Sequence, residues 1–162
     1  MTTIGLQNEQ TIYDTFPLPV FSRIQYLMAT EAADRATQIA DEMHTTVEAY
    51  VMAQNRGDPK AVLEFFHKSS PTYESTRQML HQVFLNYKLK NELLGLSFVG
   101  TDDPYAYVRI RQRTEKVEGP DFMDNVTDLL VVLRQDEDAW KIWAQALLGA
   151  EAVQPGNAAG ER

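Results

Sequence analysis

The 162-residue chain contains no cysteine, which excludes disulfide bridges, thiol nucleophiles and thiolate metal sites. Basic residues are scarce, with 15 lysines and arginines against 23 aspartates and glutamates, a net charge of −8. Proteins that bind duplex nucleic acid normally carry more basic than acidic residues, or a basic patch. No apolar run reaches the ~18 residues of a membrane helix, and no export signal lies between Met1 and Gln10. We therefore expect a cytoplasmic protein that binds neither nucleic acid nor membranes.

Sequence motifs for cofactors and metals are also missing. The 8 glycines are not clustered as phosphate-binding loops require, and Gly-x-Ser-x-Gly does not occur. His44, His67 and His81 do not form the paired pattern of a helical zinc site. The sequence therefore predicts no cofactor and no metal. Its 44% hydrophobic and 10% aromatic content is typical of a globular domain with a full core.

Helical patterns occupy the first half of the chain. Two prolines in residues 16–21 predict an extended arm there. The apolar stripe that follows predicts a helix from Ala29 to Arg56, ended by a left-handed Gly57. Asp58 and Pro59 are suited to begin a second helix, which carries Phe65 and Phe66 and ends before residue 71. A capping box with Ser75 as the cap predicts a third.

Beyond Tyr87 the apolar period changes to two residues, which is typical of β-strands. Four strands are predicted, and they cover residues 89–99, 105–116, 122–134 and 139–148. Their short connections indicate an antiparallel meander. The predicted fold is α+β, with three N-terminal helices packed on a curved four-stranded antiparallel sheet that forms a cone with a pocket. Residues 1–40 are then an N-terminal extension, 41–148 the domain and 149–162 a flexible tail.

Two segments carry a family resemblance. Residues 49–58 (AYVMAQNRGD) and 61–66 (AVLEFF) resemble the opening of nuclear transport factor 2-like domains, and Trp140-Lys141-Ile142-Trp143 resembles their last strand. The superfamily has a cystatin-like fold and includes ketosteroid isomerases, dehydratases and polyketide cyclases. The resemblance implies a mainly apolar pocket for an unidentified small molecule. A lyase or isomerase acting by proton transfer is one alternative, and a non-catalytic dimeric interaction module is another.

Ketosteroid isomerases supply a specific hypothesis about catalytic residues. Alignment through the Gly-Asp pair places Tyr50 on their hydrogen-bonding tyrosine and Glu74 on their carboxylate base. Alignment of the third strand through Gly149, with a longer turn around Asp136, places Asp128 on their second acid. The resemblance thus implies that Glu74 moves a proton while Tyr50 and a neutral Asp128 stabilise an enolate oxygen. The ligand-binding candidates are the same tyrosine and acid together with large side chains that would line or plug the cone: Tyr50, Phe66, Met79, Phe84, Asp128 and Trp140.

Both acids also have a non-catalytic interpretation. Asp128 alternates with Val126, Leu130 and Val132, so it is either functional or bonded to a buried partner such as Tyr50, an arginine or the backbone. A carboxylate just before the third helix is stabilised by the exposed amides of the helix N-terminus, whatever its chemistry.

One face of the predicted second strand is strongly basic. Arg109, Arg111 and Arg113 alternate there with tyrosines before them, and they either grip an anion or pair with acids of neighbouring strands. Trp140 and Trp143 fall on opposite faces of the last strand. If the apolar row Leu129, Val131, Leu133 and Trp143 lies on the outer face, it forms an interface patch. We therefore expect a homodimer that associates through the sheet.

Overall fold

The computed structural model describes residues 18–153, with side chains from residue 23 onward. The helices are α1 (Leu18–Arg56), α2 (Pro59–Leu63) and α3 (Tyr73–Asn86). The strands are β1 (Lys88–Asp102), β2 (Tyr105–Glu118), β3 (Asn125–Asp136) and β4 (Ala139–Ala152). By its internal contacts the chain divides after Ile39 into two units. Within residues 18–153, no helix combines the length and apolar character that crossing a bilayer requires.

Helix α1 begins at Leu18, well before the predicted Ala29. The expectation of an extended chain is therefore wrong from Leu18 onward, while residues 16 and 17 lie outside the described part. Pro19 lies in the first turn of α1. A proline there removes no helical hydrogen bond, because the amides of the first turn have no intrahelical acceptor. The predicted end is confirmed: α1 stops at Arg56, and Gly57 has a left-handed φ of 70°. Its buried stripe consists of Met43, Val47, Tyr50, Val51 and Ala53.

The capping of α2 is confirmed, but the helix is shorter than predicted. Asp58 Oδ1 accepts hydrogen bonds from the amides of Lys60 at 2.9 Å and Ala61 at 3.3 Å. The chain then leaves the helix, because the backbone around Phe65 pairs with β4. The Ile142 amide donates to the Phe65 carbonyl at 2.7 Å, and the His67 amide donates to the Ile142 carbonyl at 2.9 Å. This pairing covers part of the edge of the sheet that β4 forms.

Helix α3 begins at Tyr73, so the prediction of Ser75 as its cap is wrong. Ser75 lies in the first turn, where its hydroxyl donates to the Thr72 carbonyl at 3.0 Å. A tertiary contact sets the earlier start. Ser70 Oγ accepts from the Thr72 amide at 3.1 Å and donates to the Trp143 carbonyl at 2.6 Å, which holds the entering chain against β4.

The predicted meander is confirmed. The four strands are antiparallel and lie in the order β1-β2-β3-β4. Irregular register in the β1–β2 and β3–β4 pairs bends the sheet, which stays open. The β3–β4 turn uses Glu137 at a φ of 53°. β4 continues to Ala152, beyond the predicted end of its strand, because its last residues pair with the beginning of β3.

The two faces of the sheet have different roles. One face, called here the packed face, carries the buried core residues of the central strands: Ala106, Val108, Ile110, Val131 and Leu133. The other, called here the outer face, carries Arg109, Asp128 and Leu130. The suggestion that Leu129, Val131 and Leu133 form an outer patch is therefore wrong. Leu133 is fully buried, opposite Ala106 and Ile142.

Candidate functional site

Tyr50 lies in the core between α1 and the sheet. Its ring packs edge-on against Phe65 and Phe66, with centroids 5.9 and 6.0 Å away. Its hydroxyl oxygen accepts a hydrogen bond from Gln145 Nε2 at 3.5 Å. Burial raises the pKa of Tyr50 above its ordinary value, and the bond from Gln145 opposes this shift only in part. Tyr50 is therefore a neutral hydroxyl that faces an uncharged amide.

Tyr50→Phe is expected to change how stability depends on alkaline pH. A raised pKa means that the folded state keeps the proton while the unfolded chain loses it above its model value of 10.0. The free energy of unfolding therefore falls as the pH rises above that value, by at most about 1.4 kcal/mol per pH unit. The variant lacks this contribution. Urea unfolding at about pH 8 and about pH 11 measures the difference, with the exposed Tyr26→Phe as control. Equal pH slopes in all three proteins would contradict the prediction.

Asp128 lies on the outer face, away from Tyr50. Its carboxylate is 3.3 Å from Arg109 Nη2, and its strand partners are Arg111 and Gly149. Gln145, the partner of Tyr50, is opposite Val131, which is buried on the packed face. Because side chains alternate along β3, Asp128 and Val131 point to opposite sides of the sheet. The structure therefore does not bring Tyr50 and Asp128 together.

Glu74 is an exposed residue in the first turn of α3. Both of its carboxylate oxygens accept hydrogen bonds from Arg77, and Oε1 also accepts one from Gln78 Nε2 at 3.1 Å. These bonds lower the pKa of Glu74 to about 2, with the Arg77 hydrogen bond as the largest cause. A carboxylate with so low a pKa is a weak proton acceptor. Its contacts are those of a helix-stabilising charge pair.

The other ligand-binding candidates do not form one group. Phe66 is buried against Tyr50, whereas Met79 is 55% exposed on α3. Phe84 is half-buried on the same helix. Trp140 is half-buried, and its Nε1 donates to Glu42 Oε2 at 2.9 Å.

A polar group with two buried amides, Asn91 and Gln112, was not found from the sequence. Together with the half-buried Thr114 and the exposed Asn55 of α1, these residues are called here the amide cluster. Asn55 bonds the backbone of β1, accepting from the Asn91 amide at 2.6 Å and donating to its carbonyl at 2.8 Å. Asn91 Oδ1 in turn accepts from Gln112 Nε2 at 3.0 Å and from the Thr114 hydroxyl at 2.9 Å. The cluster joins the end of α1 to the first two strands.

Two buried amide oxygens have no hydrogen-bond partner among the described residues. They are Gln112 Oε1 and Gln54 Oε1, the second on the residue before Asn55. Gln112 is only 6% exposed. A signal existed in the sequence, because Gln112 continues the alternation of Ala106, Val108 and Ile110 and so belongs on their face.

The arginine row of β2 lies on the outer face and is paired with acids. Arg109 contacts Asp128, Arg111 contacts Glu151 at 3.4 Å, and Arg113 contacts Glu115 at 3.2 Å. The interpretation of pairing with acids of neighbouring strands therefore describes Arg109 and Arg111, whereas Arg113 pairs with an acid of its own strand.

An aromatic group lies beside this row. The Arg134 guanidinium stands over the rings of Trp143 at 4.7 Å and Tyr105 at 5.9 Å, and His67 packs edge-on against Trp143. Among the described residues, no group of three or more acidic or histidine side chains is placed to hold a metal ion.

The comparisons with known proteins identify a family and a fold. The family model described as the C-terminal domain of anti-sigma-I factor RsgI9 matches residues 45–153. No curated protein sequence matches the chain.

Solved structures similar to this chain have the nuclear transport factor 2-like fold. A candidate scytalone dehydratase from Novosphingobium aromaticivorans has a TM-score of 0.63 at 9% identity, over 76% of this chain and 93% of that one. A candidate dehydratase of the nuclear transport factor 2-like family from Streptomyces avermitilis has a TM-score of 0.58 at 16% identity, over 74% and 99%. A ketosteroid isomerase-like protein from Erwinia carotovora has a TM-score of 0.52 at 18% identity, over 71% of this chain and 96% of that one. The fold that the resemblance implied is confirmed.

Proposed function

The chain belongs to the family of the C-terminal domain of anti-sigma-I factor RsgI9, and from its packed face we propose that it is a non-catalytic domain that binds a small, uncharged, partly apolar molecule. We place the binding region at the packed face of the sheet, beside the last turns of α1. The fold supports this proposal, because concave apolar surfaces with a few polar groups are the usual place for small ligands.

The observation that carries the proposal is the pair of unpartnered amide oxygens of Gln54 and Gln112. A buried acceptor without a donor costs about 1–3 kcal/mol, so native proteins normally satisfy such groups. A ligand N–H or O–H group would satisfy them. The Tyr50 hydroxyl of α1 and the Gln145 amide that bonds to it are also neutral. A charged ligand would lose its hydration there without gaining a counter-charge from these groups.

Titration with 2-naphthol, an uncharged aromatic alcohol, tests this proposal by NMR. We expect saturable shifts in the side-chain amide signals of Gln54 and Gln112, and about tenfold weaker binding by Gln54→Met. The matched control is Gln78→Met, which removes an exposed amide on α3. Naphthalene-2-sulfonate, its anionic counterpart, should shift the side-chain amide signals of Gln54 and Gln112 less than 2-naphthol at the same concentration. Unchanged affinity in Gln54→Met, or equal loss in Gln78→Met, would contradict the proposal.

The proton-transfer alternative lacks its acid and its base. It requires Asp128 beside Tyr50, but Asp128 pairs with Arg109 on the other side of the sheet. It also requires a basic Glu74, but Arg77 lowers the pKa of that carboxylate to about 2. We therefore assign no catalytic step to the binding region.

As a partner we propose a second copy of the chain, which docks on the outer face. In support, Leu130 and Val132 are only half-buried there, beside Tyr105 and Tyr107. Half-exposed aliphatic and aromatic residues on one sheet face are typical of interfaces. Light scattering that gave the mass of one 18.4 kDa chain would contradict this assembly.

A further inference from the structure

A cleft of about 490 Å³ lies outside the packed face, between α2, the start of α3 and the β3–β4 hairpin. Three lysines line it: Lys60 from α2, Lys68 from the segment that follows, and Lys141 from β4. Its apolar wall is made by Leu63, the buried Phe66 and the half-buried Tyr73.

The lysine charges of this cleft are not neutralised by ion pairs. Lys141 Nζ donates to the main-chain carbonyl of Glu64 at 2.7 Å, which fixes the ammonium without cancelling its charge. Within residues 18–153, the ammonium groups of Lys60 and Lys68 have no hydrogen bond or salt bridge. The carboxylates of Glu64 and Asp136 also line the cleft, so three cations and two anions leave a net charge of +1. This local excess contrasts with the chain's net charge of −8.

Two unbonded ammonium groups and a third fixed by Glu64, around an apolar wall, favour a particular ligand chemistry. An ammonium group binds a phosphate or carboxylate as a point charge, and a lysine stem offers apolar surface along its length. The wall of Phe66 and Leu63 would cover an apolar body, which a bare inorganic anion does not have. We propose that this cleft binds an organic anion, in which a phosphate or carboxylate group is attached to an apolar or aromatic body. The site is separate from the binding region of the proposed function, and it selects an anionic ligand rather than an uncharged one.

Phenyl phosphate serves as the probe, in an NMR titration of the full chain at physiological salt. We expect saturable shifts in the backbone amides of Lys68, Tyr73 and Lys141. The double variant Lys60→Gln/Lys68→Gln is expected to bind at least about tenfold more weakly. Lys141 is left unchanged in this test, because its bond to the Glu64 carbonyl supports the fold.

The controls separate a site from general charge attraction. Lys60→Gln and Lys90→Gln remove the same charge, but Lys90 is an exposed residue of β1 outside the cleft. Affinity should therefore fall in Lys60→Gln and stay unchanged in Lys90→Gln. Inorganic phosphate and phenol, the two halves of the probe, should each bind more weakly than phenyl phosphate. Equal loss in the two single variants, equal binding of inorganic phosphate, or the absence of saturable shifts at the cleft would each overturn the proposal.

Discussion

Replacement of Leu133 by alanine is expected to lower the free energy of unfolding by about 2–5 kcal/mol. The Leu133 side chain is 0% exposed and lies in the middle of the packed face, between Ala106 on β2 and Ile142 on β4. Alanine would remove buried apolar surface and leave a cavity, because the neighbouring strands are held by their backbone hydrogen bonds and can close the gap only in part. Urea unfolding followed by tryptophan fluorescence measures the change.

The matched control for this prediction is Leu85→Ala. Leu85 is 66% exposed on α3, so the same chemical change removes little buried surface and should cost less than about 1 kcal/mol. Equal losses of stability in the two variants would contradict the assignment of Leu133 to the packed face. The comparison thus tests directly which side of β3 forms the core.

The second large effect is expected at the amide cluster. Asn91→Ala removes the Oδ1 atom that accepts from Gln112 Nε2 and from the Thr114 hydroxyl. The half-buried Thr114 hydroxyl then loses its acceptor, and the buried Gln112 Nε2 keeps only a long bond of 3.5 Å to Thr114 Oγ1. A polar group left unsatisfied in the interior costs about 1–3 kcal/mol. We expect the free energy of unfolding to fall by about 2–4 kcal/mol. The main-chain bonds of residue 91 to Asn55 stay in place, so the variant isolates the side chain.

Asn86→Ala is the control for the cluster, measured by the same urea unfolding. The Asn86 side chain is exposed near the end of α3, and its bond goes to the Gln82 carbonyl one turn earlier at 2.8 Å. Its removal should cost well under 1 kcal/mol, roughly the effect of an ordinary surface substitution. If Asn91→Ala were no more destabilising than Asn86→Ala, the cluster would have no structural role. Amide hydrogen exchange at the start of β1 should rise in Asn91→Ala and not in the control.

Most of the candidate site was not predictable from the sequence. The sequence correctly indicated that Tyr50 lies on the buried stripe of α1 and that Arg109 shares a face with Arg111 and Arg113. It did not indicate which face of β3 packs against α1, because both faces of that strand carry apolar residues. The apolar neighbours of Asp128 therefore do not reveal that this residue pairs with Arg109 on the outer face. Gln112 was overlooked although its position in β2 is regular.

What the sequence by itself determined is local. Gly57, Asp58 and Pro59 set the end of α1 and the start of α2, because a left-handed residue, a capping carboxylate and a fixed φ act within a few bonds. The order and pairing of the strands followed from period-two alternation and short connections.

Only the tertiary structure decided the features that depend on distant segments. The Ser70 bond to Trp143 sets the start of α3, the pairing of Phe65 with Ile142 ends α2 early, and Asn55 joins α1 to β1. Each of these contacts joins residues far apart in sequence, and their hydrogen-bond energies compete with local preferences of similar size. Local patterns therefore predicted which elements form, while long-range contacts determined where they end and which side chains meet.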